Sequence, residues 1–113
     1  MARLGWWPLR RVRVRGPSMA PALADGDIVL LRPRVRARPG DVVLVRWPGR
    51  PGQLSIKRAV RREEGGWFVL GDNDFGSTDS RQLGLAEVLG VVRWRVWPLP
   101  RRLVRHPAIR RDS

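Results

Sequence analysis

The chain has 113 residues, 42% of them hydrophobic, with ten Pro, twelve Gly, six Trp and no Cys. That is the size of one domain with a modest core, and the lack of cysteine excludes a thiol nucleophile, a disulfide framework and a Cys-ligated metal. The net charge of +13 predicts attraction to anionic partners: nucleic acid, anionic lipid or an acidic protein.

In chain order, the first apolar run is Leu4–Leu9, which contains Gly5 and Pro8 and is too short and interrupted for the apolar region of a signal peptide. No stretch approaches the roughly 20 apolar residues that span a bilayer, so the chain reads as soluble. Arg11-Val12-Arg13-Val14-Arg15 alternates with period 2, the signature of a half-buried strand. Asp27–Arg32 and Asp41–Trp47 are apolar runs bounded by Gly and Pro, as in sandwich or barrel strands. Leu54–Arg61 and Gly66–Leu70 form a further pair across the turn Glu63-Glu64-Gly65-Gly66. A last strand is expected from about Val88 to Val96, with Gly90 as a bulge or bend, after one helical turn at Leu85–Val88. The fold class is therefore mainly β, with residues 1–97 as the domain and residues 98–113 as a basic, mobile tail.

Only one of the twenty-three basic residues is a lysine, Lys57. Arginine carries charge equally well and binds carboxylates better, but it does not give up its proton in a protein. A lone lysine therefore raises the question of whether this amine has to be neutral. Its strand neighbours Ile56, Ala59 and Val60 offer apolar atoms, and Arg58 and the overall charge push the same way. Action near neutral pH requires the lysine pKa to fall well below its ordinary value, a change on the order of 4 kcal/mol.

A candidate nucleophile lies upstream. Ser18 sits in Gly16-Pro17-Ser18-Met19-Ala20-Pro21, where one glycine and two prolines fix a sharp turn after the first strand. Serine needs a base within reach, and the one histidine, His106, lies in the Arg-rich tail, which argues against a Ser-His-Asp arrangement or a multi-His metal site. The base must then be another group, and Ser-Lys pairs are one known solution. Taken alone, Ser18 reads as a turn residue and Lys57 as a solvated strand lysine. The third element is the loop Gly71-Asp72-Asn73-Asp74-Phe75-Gly76-Ser77-Thr78-Asp79-Ser80-Arg81, which taken alone is a surface Asx-rich turn.

Together and in this order, the three segments resemble the type I signal peptidase family of Ser/Lys proteases, over roughly Val12 to Trp94. Gly16–Leu23 with Gly26-Asp27 is similar to its nucleophile box, Lys57-Arg58 to its general-base box, and Gly71-Asp72-Asn73 through Gly84 to its closing signature. The resemblance implies a catalytic β-core without cofactor or metal, in which Ser18 attacks the scissile carbonyl and Lys57 is the general base. It further implies that Ser77 orients the amine, that Asp79 and Arg81 pair to hold the loop, and that Asp72 and Asn73 shape it. The oxyanion region would be Gly16-Pro17-Ser18, with the Ser18 backbone N–H as donor.

The sequence departs from the pattern in places. Gly16 stands where some relatives carry a second hydroxyl, and Ala22 stands where a Thr is usual. The membrane anchor and large second domain of well-studied signal peptidases are not seen. In these respects the chain is most similar to nickel-type superoxide dismutase maturation proteases, which implies a precursor protein as partner and a cytoplasmic location. Two other readings stand beside it. One is a minimal signal peptidase peripheral at a membrane surface, with Trp6, Trp7, Trp94, Trp97 and flanking arginines making weak contact with anionic lipid. The other is a non-catalytic basic β-domain binding nucleic acid, for which no specific signature is present.

Overall fold

Val42–Val45 is an unbroken apolar run within the strand Val42–Trp47, and the structure uses both of its faces. The computed structural model describes residues 9–105; Trp6, Trp7 and His106 lie outside them. Strand β3 (Val42–Trp47) sends Val42 and Leu44 into one buried cluster, with Val14, Met19, Val29 and Val92. It sends Val43, Val45 and Trp47 into another, with Ala59, Val69 and Val91. Alternation along a strand divides the two sets. Each fully buried valine contributes on the order of 1.5 kcal/mol, so β3 anchors both faces.

Around it lie β1 (Arg10–Arg13), β2 (Ile28–Pro33), β4 (Arg50–Glu63), β5 (Gly66–Leu70), β6 (Glu87–Trp97) and β7 (Arg101–Arg102). They form one seven-stranded sheet in the order β1-β2-β6-β3-β4-β5, with β7 on β6, and every pairing is antiparallel. The fold is thus mainly β. The α-helix among the described residues, α1 (Ser80–Leu83), is a single turn. That turn stands earlier than the sequence pattern suggests: Leu85–Val88 instead leads into β6, and Ala86, just before the strand, forms an antiparallel bridge with Trp67. The helical turn forms at Ser80 because Asp79 caps it, accepting from Arg81 N, while the Gln82 side chain accepts from Asp79 N in a capping box.

Gly90 lies beside a register shift in the β3–β6 ladder, and a Cβ there would stand 2.5 Å from the Arg32 carbonyl oxygen. Close approach of β2 therefore requires glycine. Beyond Pro98 the chain turns back, β7 pairs Arg101 and Arg102 with Arg95 and Trp94, and Leu103 enters the first cluster. No helix among the described residues is long and apolar enough to cross a membrane.

Two features of this sheet place the site. Strand β1 is terminal in the order, so among the described residues one of its edges has no strand partner. Strand β4 is long: Arg50–Arg58 pairs with β3, whereas pairing with β5 starts only at Arg58. Among the described residues the first half of β4 therefore also presents an unpaired edge. A cleft of about 630 Å³ lies between these edges, lined on one side by Val12–Arg15 and on the other by Gly52–Lys57.

Candidate active site

Ser18 reaches the end of this cleft on a rigid turn. Val14 is buried ahead of it, and Met19 and Leu23 are buried behind it, so the hydroxyl is held between two anchors. Gly16 has φ +79°, where an L side chain is strained, and its N–H donates to Asp25 Oδ1 at 2.7 Å. The Pro17 carbonyl then accepts from Ala20 N at 3.1 Å, closing the turn. Ser18 is half-buried and lines the cleft.

Lys57 stands opposite Val43 on β4 and is only 4% exposed. Ala59, two residues on, belongs to the second buried cluster with Val43. Burial holds the lysine pKa below its ordinary value; Asp79 opposes that shift and Arg81 reinforces it. Nζ donates to Ser77 Oγ at 3.4 Å, and Ser77 Oγ donates to Asp79 Oδ2 at 2.7 Å. Because the hydroxyl proton points at the carboxylate, a lone pair of Oγ faces the amine. No hydrogen bond joins Ser18 Oγ to Lys57 Nζ, although both groups line the same cleft.

Asp79 organises the loop that carries Ser77. It is fully buried, and besides Ser77 it accepts from Gly71 N at 2.9 Å and from the Arg81 guanidinium at 2.9 and 3.0 Å. Burial alone would raise its pKa, but these donors outweigh that and hold the carboxyl below its ordinary range. Ser80 Oγ accepts from Val69 N at 2.9 Å and ties the helical turn to β5. Gly71 is required by crowding: a Cβ there would lie 2.2 Å from Ser77 Oγ and 2.6 Å from the Ser18 carbonyl oxygen.

The loop is also stitched to the serine turn. Asn73 N donates to the Ser18 carbonyl at 2.9 Å, and Asn73 Nδ2 donates to the Pro17 carbonyl at 3.0 Å. Its Oδ1 accepts from Phe75 N, capping the short 3-10 turn Asp74–Gly76. The structure thus brings Ser18, Lys57, Ser77, Asp79, Arg81 and Asn73 into one assembly at the end of the cleft.

Asp72 belongs to a different contact, one that sequence reasoning missed. Arg58 is 1% exposed and forks onto Asp72 at 2.7 and 3.1 Å, and its remaining nitrogen donates to the Gly40 and Val104 carbonyls at 3.0 Å each. Arg58 therefore does not act as the bare positive neighbour of Lys57 that the sequence suggests. Alternation on β4 turns it to the other face, and Asp72 neutralises it. The period-2 pattern of β4 was the signal available. Of the oxyanion region, Gly16 N–H is taken by Asp25, leaving Ser18 N–H as the candidate donor.

A buried amine on one wall of a β-edge cleft and a turn-held hydroxyl at its end thus stand on either side of a loop centred on a buried carboxylate. The sequence model of the Peptidase S24-like family matches residues 9–93, and the chain belongs to that family. It is 34% identical over 113 aligned residues to the mitochondrial ATP-independent inner membrane protease subunit 1b of Arabidopsis thaliana, covering 74% of this chain and 67% of that protein. To subunit 1a from the same plant it is 34% identical over 115 aligned residues, covering 75% and 68%.

Proposed function

We propose that this chain is a serine endopeptidase with a Ser18/Lys57 dyad that removes a short N-terminal extension from a precursor protein. The observation that carries this reading is the buried Lys57 amine on the wall of the cleft that Ser18 enters, its pKa lowered by burial. In its neutral form the amine spends one N–H on Ser77 and keeps its lone pair for a proton. Arginine in that position would have none to offer.

The substrate lies extended between the two unpaired strand edges, its backbone bonding as an added strand. Neutral Lys57 takes the Ser18 hydroxyl proton as Oγ bonds to the scissile carbonyl carbon, and the carbonyl π pair moves to oxygen. The Ser18 N–H donates to that oxyanion. Collapse breaks the C–N bond, and the Lys57 ammonium gives its proton to the leaving amine. A water then loses a proton to Lys57 and attacks the acyl ester, and Ser18 Oγ leaves with the proton returned.

The narrower reading takes a nickel-type superoxide dismutase precursor as substrate and the cytoplasm as location, on the strength of the sequence resemblance. Incubating the chain with that precursor and reading the new N-terminus by mass spectrometry tests it. One new N-terminus, absent with Ser18→Ala, is expected; no cleavage of that precursor alongside cleavage of others would replace the substrate. A second reading places the same chemistry at a membrane surface. Trp94 and Trp97 are 47% and 56% exposed among arginines, and the relatives named above are inner membrane proteases. Activity that requires anionic vesicles would favour it.

A further inference from the structure

The walls of the cleft carry charge of one sign. Val12 and Val14 pack against the first buried cluster, which turns Arg13 and Arg15 outward along the β1 side, where both are exposed and line the cleft. The facing wall is Gly52, Gln53, Leu54, Ser55 and Ile56, ending at the buried Lys57. No described carboxylate side chain lines the cleft. The fold commits its acids elsewhere. Asp27, Asp41, Asp72, Asp79, Glu63 and Glu87 each pair with an arginine, and Asp25 beside Arg13 accepts from Gly16 N–H. Neither Arg13 nor Arg15 has a carboxylate within ion-pair distance among the described residues.

We propose that Arg13 and Arg15 are specificity-determining residues that select a substrate segment with acidic side chains at alternate positions. This rests on the peptidase reading, since it is the extended strand in the cleft that presents them. Arg13 ends β1 and Arg15 follows two residues on, both exposed while Val12 before and Val14 between them face the core, so the two arginines meet side chains at i and i+2 of the added strand. The chemistry fits an acidic peptide better than a nucleic acid. Unpaired strand edges offer alternating N–H and C=O groups, and among the described residues no aromatic side chain lines the cleft to stack a base. Exposed charge pairs are individually weak, so two of them amount to about a three- to tenfold preference at low salt.

The experiment uses three fluorescent peptides of the same Ala/Val/Gly sequence, with Glu, Gln or Lys at three alternate positions. Their affinities are read by anisotropy on the Ser18→Ala chain at low and at high salt, and their cleavage is read on the unaltered chain. The expected order is Glu over Gln over Lys, with the gap closing as salt rises. The double variant Arg13→Glu/Arg15→Glu should reverse that order; both positions are exposed, and the wild-type salt dependence decides the matter should the variant not fold. Equal affinities, no binding of any peptide, an unchanged order in the variant, or full displacement of the Glu peptide by oligo(dT) at equal charge overturns the proposal. Cleavage without charge preference would leave the peptidase standing and remove this inference; charge-ordered binding without cleavage would do the reverse.

Discussion

Lys57 and Arg58 are adjacent cations on one strand, 4% and 1% exposed, and the fold treats them in opposite ways. Arg58 receives a bidentate carboxylate and two carbonyls, so its charge is compensated at every nitrogen. Lys57 receives one neutral hydroxyl at 3.4 Å, and the carboxylate behind that hydroxyl is itself occupied by Arg81. A buried charge has to be matched or given up. The strand's alternation lets one site lock a cation while the site beside it, on the other face, presses an amine toward neutrality.

Removing that asymmetry in chemistry has the largest expected effect. Lys57→Arg retains positive charge and forfeits the proton acceptor, so peptide cleavage should fall by about 10³-fold or more. Activity of the unaltered chain should rise with pH as Lys57 deprotonates, with its midpoint below the ordinary lysine value near 10.5. Substantial turnover by the arginine variant would place the base elsewhere.

Breaking the locked cation has the next largest effect, and it acts on stability. Asp72→Ala leaves the Arg58 guanidinium buried without its carboxylate, a loss of about 3–5 kcal/mol by denaturant titration. The paired replacement Arg58→Met with Asp72→Leu should recover much of that loss, because it deletes both charges together. Equal damage from the single and the double change would mean that the Gly40 and Val104 contacts, not the ion pair, hold this corner.

Lys57→Met reads the same contrast through pH. The folded state lowers the lysine pKa, so between that value and 10.5 the unfolded chain binds more protons than the folded one. Stability should therefore rise with pH across this window, and the penalty should be fully present below it. In Lys57→Met that slope should vanish and neutral-pH stability should increase. Ser77→Ala is a milder change: it removes a hydrogen bond worth about 1 kcal/mol, so cleavage should fall on the order of tenfold, with the pH midpoint displaced.

Much of this was legible in the sequence, for identifiable reasons. Runs such as Val42–Val45 and the alternating Val12/Val14 announce strands because burial and the pleat share a period. Ser18 and Lys57 stand out because two prolines flank one and the other is the only lysine. The partner of Arg58 was hidden: Asp72 is fourteen residues away, and only the β4–β5 pairing, Arg58 opposite Leu70, brings it near. The requirement for Gly71 was equally invisible, since it comes from the Ser18 carbonyl and Ser77 hydroxyl meeting over its Cα. The helical turn was misplaced because the capping box at Asp79 and Gln82 outweighs the apolar pattern of Leu85–Val88.

The smallest expected effect sets the scale for the rest. Arg46 and Glu87 also form a close pair, at 2.8 Å across β3 and β6, with geometry comparable to that of Arg58 and Asp72. Their side chains are 39% and 58% exposed, so water has already solvated both charges and their attraction is screened. Glu87→Ala should therefore change stability by about 0.5 kcal/mol or less, and by less still in high salt. If it cost as much as Asp72→Ala, distance rather than burial would govern these pairs, and the argument that burial forces Lys57 toward neutrality would lose its physical basis.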